Sequence, residues 1–427
     1  MKKKEWTIGK TACLCLFLFW LPFFPVFGQG QKGTESSDTN EVKIAALYPM
    51  TGSTGSYGNL IMRGWNIAVD EINSAGGIKS LGGAKLRTIL ADTEGSPRVG
   101  MTQMEKIAQD KSIPVVAGCW ASGVTYPVTQ VSEQYGLPMI IEIASQYDIM
   151  QRGFKYLFRY CLSAPGTSVN TFDFIQYQAN KAGVPANRIA IITVDDNYGR
   201  DTVHWIKEAI AQKNKDGASF EVVSDLYFPS GTTNVDVDVG KLKASKPDVI
   251  IINAMINEEV LIVRTLNAQG VKPSGGIICN GGHSNPEFLD LVGDLAEGYC
   301  GGFKWDADLN NPIMKRFDEK IRASTGGLPA EPFAASGYGV VHVIADVLER
   351  AGSTDRDKVR QAFVETNITS GPALALACNF VRFNEIGENT GATEYICQVI
   401  NGEWRNVWPV DLPHEMEARW PFAKVNR

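Results

Sequence analysis

Residues 42–58 read VKIAALYPMTGSTGSYG, and this segment is the most informative part of the sequence about the fold. The mostly apolar run Val42 to Tyr48 predicts a buried strand, and Pro49 ends it. A loop of glycine, serine and threonine follows, after which apolar residues recur at helical spacing from Ile61 to Ile72. Strand, polar loop and helix in this order form the first half of a β-α-β unit, which builds parallel sheets.

The same alternation continues along the chain and starts again after about residue 164. The sequence therefore predicts an α/β fold with two doubly wound parallel-sheet lobes in tandem. Near the end, residues 380–400 predict a β-hairpin with a long turn, and Asn401-Gly402 predicts a second turn. The segments predicted as strands of the two sheets are 42–48, 86–91, 113–118, 137–141, 188–194, 220–223, 249–252, 277–279 and 299–303.

The N-terminus has the pattern of a secretory signal peptide. Lysines follow Met1, an apolar run covers residues 11–27, and Gly28 supplies a small residue for cleavage. We therefore expect residues 1–28 to be removed on export to the periplasm, and the polar residues 29–40 to form a flexible leader. An uncleaved membrane anchor is the alternative, although the run is short and contains prolines.

Composition argues against several classes of protein. The formal net charge is −6, so the chain has no basic surface of the kind that binds nucleic acid. The motifs GxSxG, HExxH and GxxxxGK[ST] are absent, as are cysteine and histidine clusters with zinc spacing. We therefore predict a protein that is not an enzyme and that uses no metal or cofactor.

Six cysteines remain after residue 28, an even number that permits disulfides in an exported protein. Cys279 and Cys300 lie on consecutive predicted strands, which predicts a bridge between them. Cys378 and Cys397 flank the predicted turn of the hairpin and predict a second bridge. Cys119 and Cys161 are left unassigned, and free buried thiols are the alternative for all six.

Loops rich in Ser, Thr and Gly follow several predicted strands. The carboxyl ends of parallel strands meet at one edge of a sheet, where such folds bind their ligands. Hydroxyls and N–H groups at helix N-termini suit an anion such as a carboxylate, and ordinary helix capping is the alternative role. The loops concerned are 50–58, 118–125, 143–145, 195–199 and 253–255.

From Val42 to about Pro409, the chain resembles the type I periplasmic binding proteins of the branched-chain amino acid ABC transporter family. That family's fold implies two lobes joined by a three-strand hinge, with lobe 1 at about 41–163 and 305–370. Lobe 2 would then cover 164–304 and 371–410, and 411–427 would form a C-terminal tail. The matching motifs, in order, are PMTG at 49–52 with Tyr57-Gly58, DEIN at 70–73, AGGI at 75–78, QRGF at 151–154, NYG at 197–199 and a turn at 383–387 before 395–404.

The resemblance also implies a function and a site. It implies the solute-binding subunit of an ABC importer, a monomer that delivers a small ligand to a permease in the inner membrane. Ser122, Ile143 and Ser145 would hold the ligand carboxylate. Aromatic contacts would come from Tyr57, Tyr198 and Tyr338. Position matching and neighbouring loops add Trp120, Met255 and His283 to the candidate ligand-binding residues, with packing as the alternative role of each.

One departure from the family concerns the ligand. Where the amino-acid binders carry an acid for the ligand ammonium, residues 279–283 read CNGGH. An unpaired buried charge is very costly, so we expect a carboxylate without an α-ammonium, such as an aromatic or branched aliphatic acid. Branched-chain amino acids remain the family alternative, with Asp195, Asp196 or Glu258 as a substitute acid. A sensor of the same fold and an exported hydrolase are the rival functions.

Overall fold

The computed structural model describes residues 40–410 and 416–421. The predicted signal peptide, nearly all of the predicted leader and most of the predicted C-terminal tail lie outside the described residues.

The first half of the chain forms a five-stranded parallel sheet in the order β2-β1-β3-β4-β5. Successive residues of β1 face opposite hydrophobic clusters, with Ile44 and Ala46 on one side and Ala45 and Leu47 on the other. Burial on both faces explains why this strand reads as a continuous apolar run. The strands are β1 Glu41–Tyr48, β2 Lys85–Asp92, β3 Val116–Gly118, β4 Met139–Ile141 and β5 Leu157–Arg159.

The second half forms a seven-stranded sheet in the order β12-β11-β10-β9-β8-β6-β7. Its five strands from β10 to β7 run parallel, whereas β11 and β12 pair antiparallel at one edge. The predicted α/β fold with two sheets is confirmed. The strands are β6 Arg188–Val194, β7 Glu221–Phe228, β8 Val249–Ala254, β9 Gly276–Gly281, β10 Cys300–Phe303, β11 Tyr395–Ile400 and β12 Glu403–Trp408.

Helices connect the strands and cover the sheets. The helix at 332–351 packs closely on the first helix of the chain. A Cβ on Gly64 would lie 1.8 Å from the carbonyl oxygen of Ala334, and one on Gly337 would lie 2.1 Å from that of Ile61. This late segment therefore covers the first sheet, although the lobe boundaries themselves stay a prediction. The helices are α1 Gly55–Ser74, α2 Pro97–Gln109, α3 Ser122–Gln134, α4 Ala164–Ala182, α5 Asn197–Lys215, α6 Asp236–Ala244, α7 Ile256–Ala268, α8 Glu287–Val292, α9 Pro312–Thr325, α10 Pro332–Ala351 and α11 Arg356–Val364.

The hairpin predicted at 380–400 is found only in part. The chain reverses direction after Asn384, and isolated antiparallel bridges join Phe383 to Asn389 and Cys378 to Ala392, but no regular strand forms before β11. A regular hairpin joins β11 to β12 through Asn401 and Gly402, both of which have positive φ. A two-residue Asn-Gly turn of this kind suits the twist of antiparallel strands.

Both predicted disulfides are wrong, since all six cysteines of the described residues are buried free thiols. Cys300 lies opposite Ile278 in the parallel register, so Cys279 and Cys300 point to opposite faces of the sheet. Cys397 lies opposite Gly301, and its thiol meets the side chain of Asn406 at 3.1 Å. Cys378 lies opposite Ala392 rather than Cys397, which removes the geometry on which the second bridge depended.

Candidate functional site

A cavity of about 300 Å³ lies at the carboxyl ends of the strands, with residues from both sheets in its lining. Seven helices begin there, because each follows a strand or loop that ends at this edge. Helix N-termini carry partial positive charge and unpaired N–H groups. Each of these helices has a residue of its first turn or its N-cap in the cavity lining. These residues are Thr54 (N-cap of α1), Pro97 of α2, Ser122 of α3, Ala164 of α4, Tyr198 of α5, Met255 (N-cap of α7) and Pro332 of α10.

These helix starts differ in whether a side chain already caps them. Ser96, Asp196 and Glu331 accept hydrogen bonds from first-turn amides of α2, α5 and α10. The starts of α1, α3 and α4 have no side-chain cap, and α7 has none from its own N-cap residue, although the Tyr57 hydroxyl accepts its first amide. At α3 the N-cap is Ala121, whose methyl group cannot accept a hydrogen bond. Uncapped amides at the cavity can therefore receive an acceptor from a ligand.

The predicted carboxylate residues lie together on the first-sheet side, which we call the first wall: Trp120, Ser122, Ile143 and Ser145 all line the cavity. Ser122 opens α3, and its hydroxyl accepts the amide of Gln146 at 3.4 Å. The carbonyl of Ser145 accepts the amide of Ala164 at 2.9 Å. The structure thus brings two hydroxyls and the starts of α3 and α4 to one side of the cavity.

Arg159 lies behind this wall and stabilises its loop. It was not among the predicted site residues. Its guanidinium is fully buried and donates to the carbonyls of Ala144 at 3.2 Å, Gln146 at 2.8 Å and Tyr147 at 3.3 Å. It also pairs with Glu388 at 2.9 Å. A charged residue at the end of a predicted strand would have indicated a site residue. However, β5 has only three residues and was not predicted from the sequence.

The second wall comes from the second sheet and includes the predicted residues Tyr198 and Met255. The Tyr198 hydroxyl donates to the carbonyl of Asn280 at 2.9 Å, so this ring is fixed against the end of β9. Gly281 follows with a φ of 126°, and a Cβ there would lie 2.4 Å from the carbonyl oxygen of Ala254. The backbone therefore excludes an acidic side chain from that position.

Three charged side chains line the cavity. Asp196 and Glu94 are exposed, and Asp196 caps α5 through the amide of Gly199 at 2.8 Å. Lys304 is mostly buried and directly follows β10. Lys304 was not among the predicted site residues, although it follows a predicted strand and the same strand-end rule identifies it. The other acids proposed as substitutes are engaged elsewhere, Asp195 with Arg200 at 2.6 Å and Glu258 with the amide of Gly231 at 2.8 Å.

Three predicted ligand contacts lie outside the cavity lining. The Tyr57 ring stacks on Trp120 at 4.2 Å, and its hydroxyl accepts the amide of Ile256 at 3.1 Å. Tyr57 therefore lies behind Trp120 and links α1 to α7.

His283 and Tyr338 are packing residues. His283 Nε2 lies 3.0 Å from the Gly302 carbonyl oxygen, and burial lowers the pKa of this imidazole to about 3. The Tyr338 hydroxyl donates to Glu71 at 2.8 Å, and its ring stacks on Phe317. Neither side chain reaches the cavity.

The cavity lining is only partly aromatic and apolar. Of the predicted residues Tyr57, Trp120, Tyr198, Met255 and Tyr338, the lining contains Trp120, Tyr198 and Met255. Much of the remaining lining is polar. Its hydroxyl and amide groups come from Ser53, Thr54, Ser122, Ser145, Thr167, Thr202, Ser230, Asn280 and Ser284.

Two absences hold within residues 40–410 and 416–421. No group of three or more His, Cys, Asp or Glu side chains is arranged to hold a metal ion. No helix in this part of the chain combines the length and the apolar character needed to cross a membrane.

The chain matches the protein family described as "Periplasmic binding protein" over residues 41–385. Leu/Ile/Val-binding protein homolog 3 of Brucella melitensis is 29% identical over 357 residues, which cover 83% of this chain and 90% of that protein.

Solved structures share the fold at lower identity. The branched-chain amino acid transporter substrate-binding protein LivJ of Streptococcus pneumoniae, in complex with isoleucine, aligns with a TM-score of 0.73 at 21% identity. That alignment covers 86% of this chain and 100% of LivJ. A solute-binding protein of an ABC transporter from R. palustris, in complex with benzoate, gives a TM-score of 0.72 at 18% identity, over 86% of this chain and 95% of that one. One fold therefore serves proteins whose ligands differ in chemistry.

Proposed function

Because the chain belongs to the periplasmic binding protein family, we propose that it is the solute-binding subunit of an ABC importer and that it binds a small carboxylate in the cavity between the two sheets. The protein is exported, residues 1–28 are removed, and the loaded protein docks on a permease in the inner membrane. Its task is capture and delivery of a solute rather than catalysis.

The arrangement of the first wall is the observation that supports a carboxylate as the ligand. Ser122 opens α3, whose N-cap Ala121 leaves the first-turn amides without a side-chain acceptor. Ser145 lies beside the uncapped start of α4. Helix N-termini favour anions through both their N–H groups and their dipoles, and the buried Arg159, paired with Glu388, holds the same loop in place through its carbonyls.

The second wall bears on the class of carboxylate. The segment that corresponds to the family's ammonium-binding acid, residues 279–283, contains no acid, and at Gly281 the backbone leaves no room for a side chain. Asp196 already caps α5 through the amide of Gly199 and burial raises the pKa of its carboxyl, while Glu94 is exposed and its charge is screened by solvent, so neither offers an ammonium a free and desolvated carboxylate. These features support a ligand without an α-ammonium, while the Leu/Ile/Val-binding name of the Brucella relative supports a branched-chain amino acid.

Calorimetry with leucine, with its deaminated analogue 4-methylpentanoate and with benzoate tests both the solute-binding function and the proposed class of ligand. We expect at least one of the two acids to bind more tightly than leucine. We also expect that acid to raise the unfolding temperature, since a ligand at a hundredfold excess over its dissociation constant stabilises the native state by about 2.7 kcal/mol. Tighter binding of leucine would contradict the ligand class but keep the importer role. Turnover of a ligand by the purified protein would contradict the proposed function as a whole.

A further inference from the structure

Lys304 lies at the base of the cavity, where the chain leaves β10. Its carbonyl oxygen accepts the amide of Ala377 at 2.9 Å, which ties this point to the late segment that precedes β11. Its side chain forms part of the cavity lining and is only 18% exposed. The backbone contact fixes the main chain at this point, and the side chain lies at the cavity with its ammonium 3.7 Å from Glu394 Oε1.

The ammonium is not saturated by its protein partner. Within the described residues, Glu394 supplies the carboxylate that lies within ion-pair range, and the distance from Nζ to Oε1 is 3.7 Å. This distance is too long for a good hydrogen bond. A lysine has three N–H donors, so donors remain for an acceptor in the cavity.

Glu394 is itself held in place. It is 5% exposed, its Oε1 is 3.4 Å from the Thr167 hydroxyl, and burial raises the pKa of its carboxyl while Lys304 opposes that shift. The glycines of β10 make room for it, because a Cβ on Gly302 would lie 2.9 Å from the Glu394 carboxyl carbon. Lys304 and Glu394 thus form a positioned pair.

We propose that Lys304 binds a second carboxylate of the ligand, so that the protein's solute is a small dicarboxylate held at one end by the first wall and at the other by this lysine. The inference rests on the proposed carboxylate-binding function and extends it to a second anchor. A monocarboxylate would leave the remaining lysine donors without an acceptor after water is displaced, which disfavours it. The polar lining between the two anchors fits a ligand with polar groups at both ends.

Calorimetry with matched pairs of acids tests this assignment: butanoate against succinate, pentanoate against glutarate, and benzoate against benzene-1,4-dicarboxylate. A hydrogen-bonded ion contact corresponds to about 10- to 100-fold in affinity. We expect wild type to prefer the diacid of at least one pair by that factor. Lys304→Met should abolish the preference while changing the affinity for the monoacid by less than about threefold. Lys272→Met, at an exposed lysine, is the matched control and should leave the preference unchanged.

Removing Lys304 alone leaves Glu394 buried without its cation, so a double variant keeps the test informative. Lys304→Met with Glu394→Gln removes both charges and should also lose the preference for the diacid. Glu394→Gln alone should increase it, because the ligand no longer competes with a protein carboxylate. Monoacids that bind at least as tightly as diacids, or a preference that survives the double variant, would overturn the assignment and leave carboxylate binding standing. Failure of every acid to bind wild type would instead contradict the proposed function.

Discussion

The two walls of the cavity are built in different ways. The first wall presents hydroxyls and main-chain amides, and its loop is held from behind by Arg159 through three carbonyls. The second wall presents side-chain charge, from Lys304 directly after β10, whose glycines admit other residues, and from Asp196 at the start of α5. Main-chain amides bind any carboxylate. A single lysine, in contrast, favours ligands that have a second carboxylate at the end opposite the first wall. We therefore expect the first wall to set affinity and the second to set selectivity.

The largest effect on stability should follow from replacing Arg159, which stabilises the loop of the first wall. Arg159→Met leaves Glu388 without its partner and three carbonyls without a donor. Breaking a buried ion pair by removing one partner costs about 3–5 kcal/mol, so the free energy of unfolding in urea should fall by that amount. Arg87→Met is the control, because its contact with Glu41 is exposed and should contribute less than about 1 kcal/mol. Equal effects of the two changes would show that Arg159 does not brace the wall.

The next effect concerns affinity. Ser122→Ala and Ser145→Ala each remove a hydroxyl from the first wall, and hydrogen bonds to charged groups contribute about 1.5–3 kcal/mol. We expect each variant to bind its carboxylate about 10- to 100-fold more weakly, by the same factor for monoacids and diacids. Ser219→Ala, at an exposed serine outside the cavity lining, is the control. Unchanged titrations for both cavity variants would refute the assignment of the first wall.

Each wall also has a buried carboxyl behind it, and these two differ in their contacts. Glu259 accepts the amide of His283 at 3.1 Å, beside the second wall. Glu142, behind the first wall, lies beside the Tyr48 hydroxyl and the backbone of Gly118, and neither of its carboxyl oxygens has a hydrogen bond of good geometry within the described residues. Burial raises the pKa of both carboxyls to about 8. Glu142 is therefore the acid that can be neutralised with the least loss of contacts.

This difference predicts a pH dependence. Between pH 4.5 and 8 the folded state keeps the Glu142 proton that the unfolded chain has released, so its contribution to stability falls as the pH rises. One proton accounts for at most about 1.4 kcal/mol per pH unit. Glu142→Gln should make the free energy of unfolding decline less steeply between pH 5 and 8, while Glu385→Gln, at an exposed site, should not. An unchanged slope in Glu142→Gln would mean that the acid is ionised in the folded protein.

The comparison also explains what the sequence could reveal. The first wall follows directly from strand-end loops, because Ser122 and Ser145 come after strands that are legible as apolar runs. The placement of Tyr57 outside the cavity lining could not be read from the sequence, because its partners, Trp120 and Ile256, are far apart in the chain. The same holds for His283, since Gly301 leaves room for its ring, with a Cβ there only 2.3 Å away, and no local pattern predicts such a contact. The strand register likewise determines that Cys279 and Cys300 cannot form a disulfide, because they lie on neighbouring strands but on opposite faces of the sheet.

The smallest expected effect is at Tyr57, where the two halves of the site meet. Its hydroxyl accepts the amide of Ile256 at the uncapped start of α7, so a residue of the first half supplies the acceptor that the second half lacks. Tyr57→Phe keeps the stacking on Trp120 but removes that acceptor. A typical hydrogen bond contributes about 0.5–1.5 kcal/mol, so affinity should fall about two- to tenfold. Because the bond joins the two sides rather than touching the ligand, the loss should appear as faster ligand dissociation in stopped-flow measurements, with the ratio of diacid to monoacid affinity unchanged. A shift in that ratio would mean that Tyr57 contacts the ligand, as its position in the sequence had predicted.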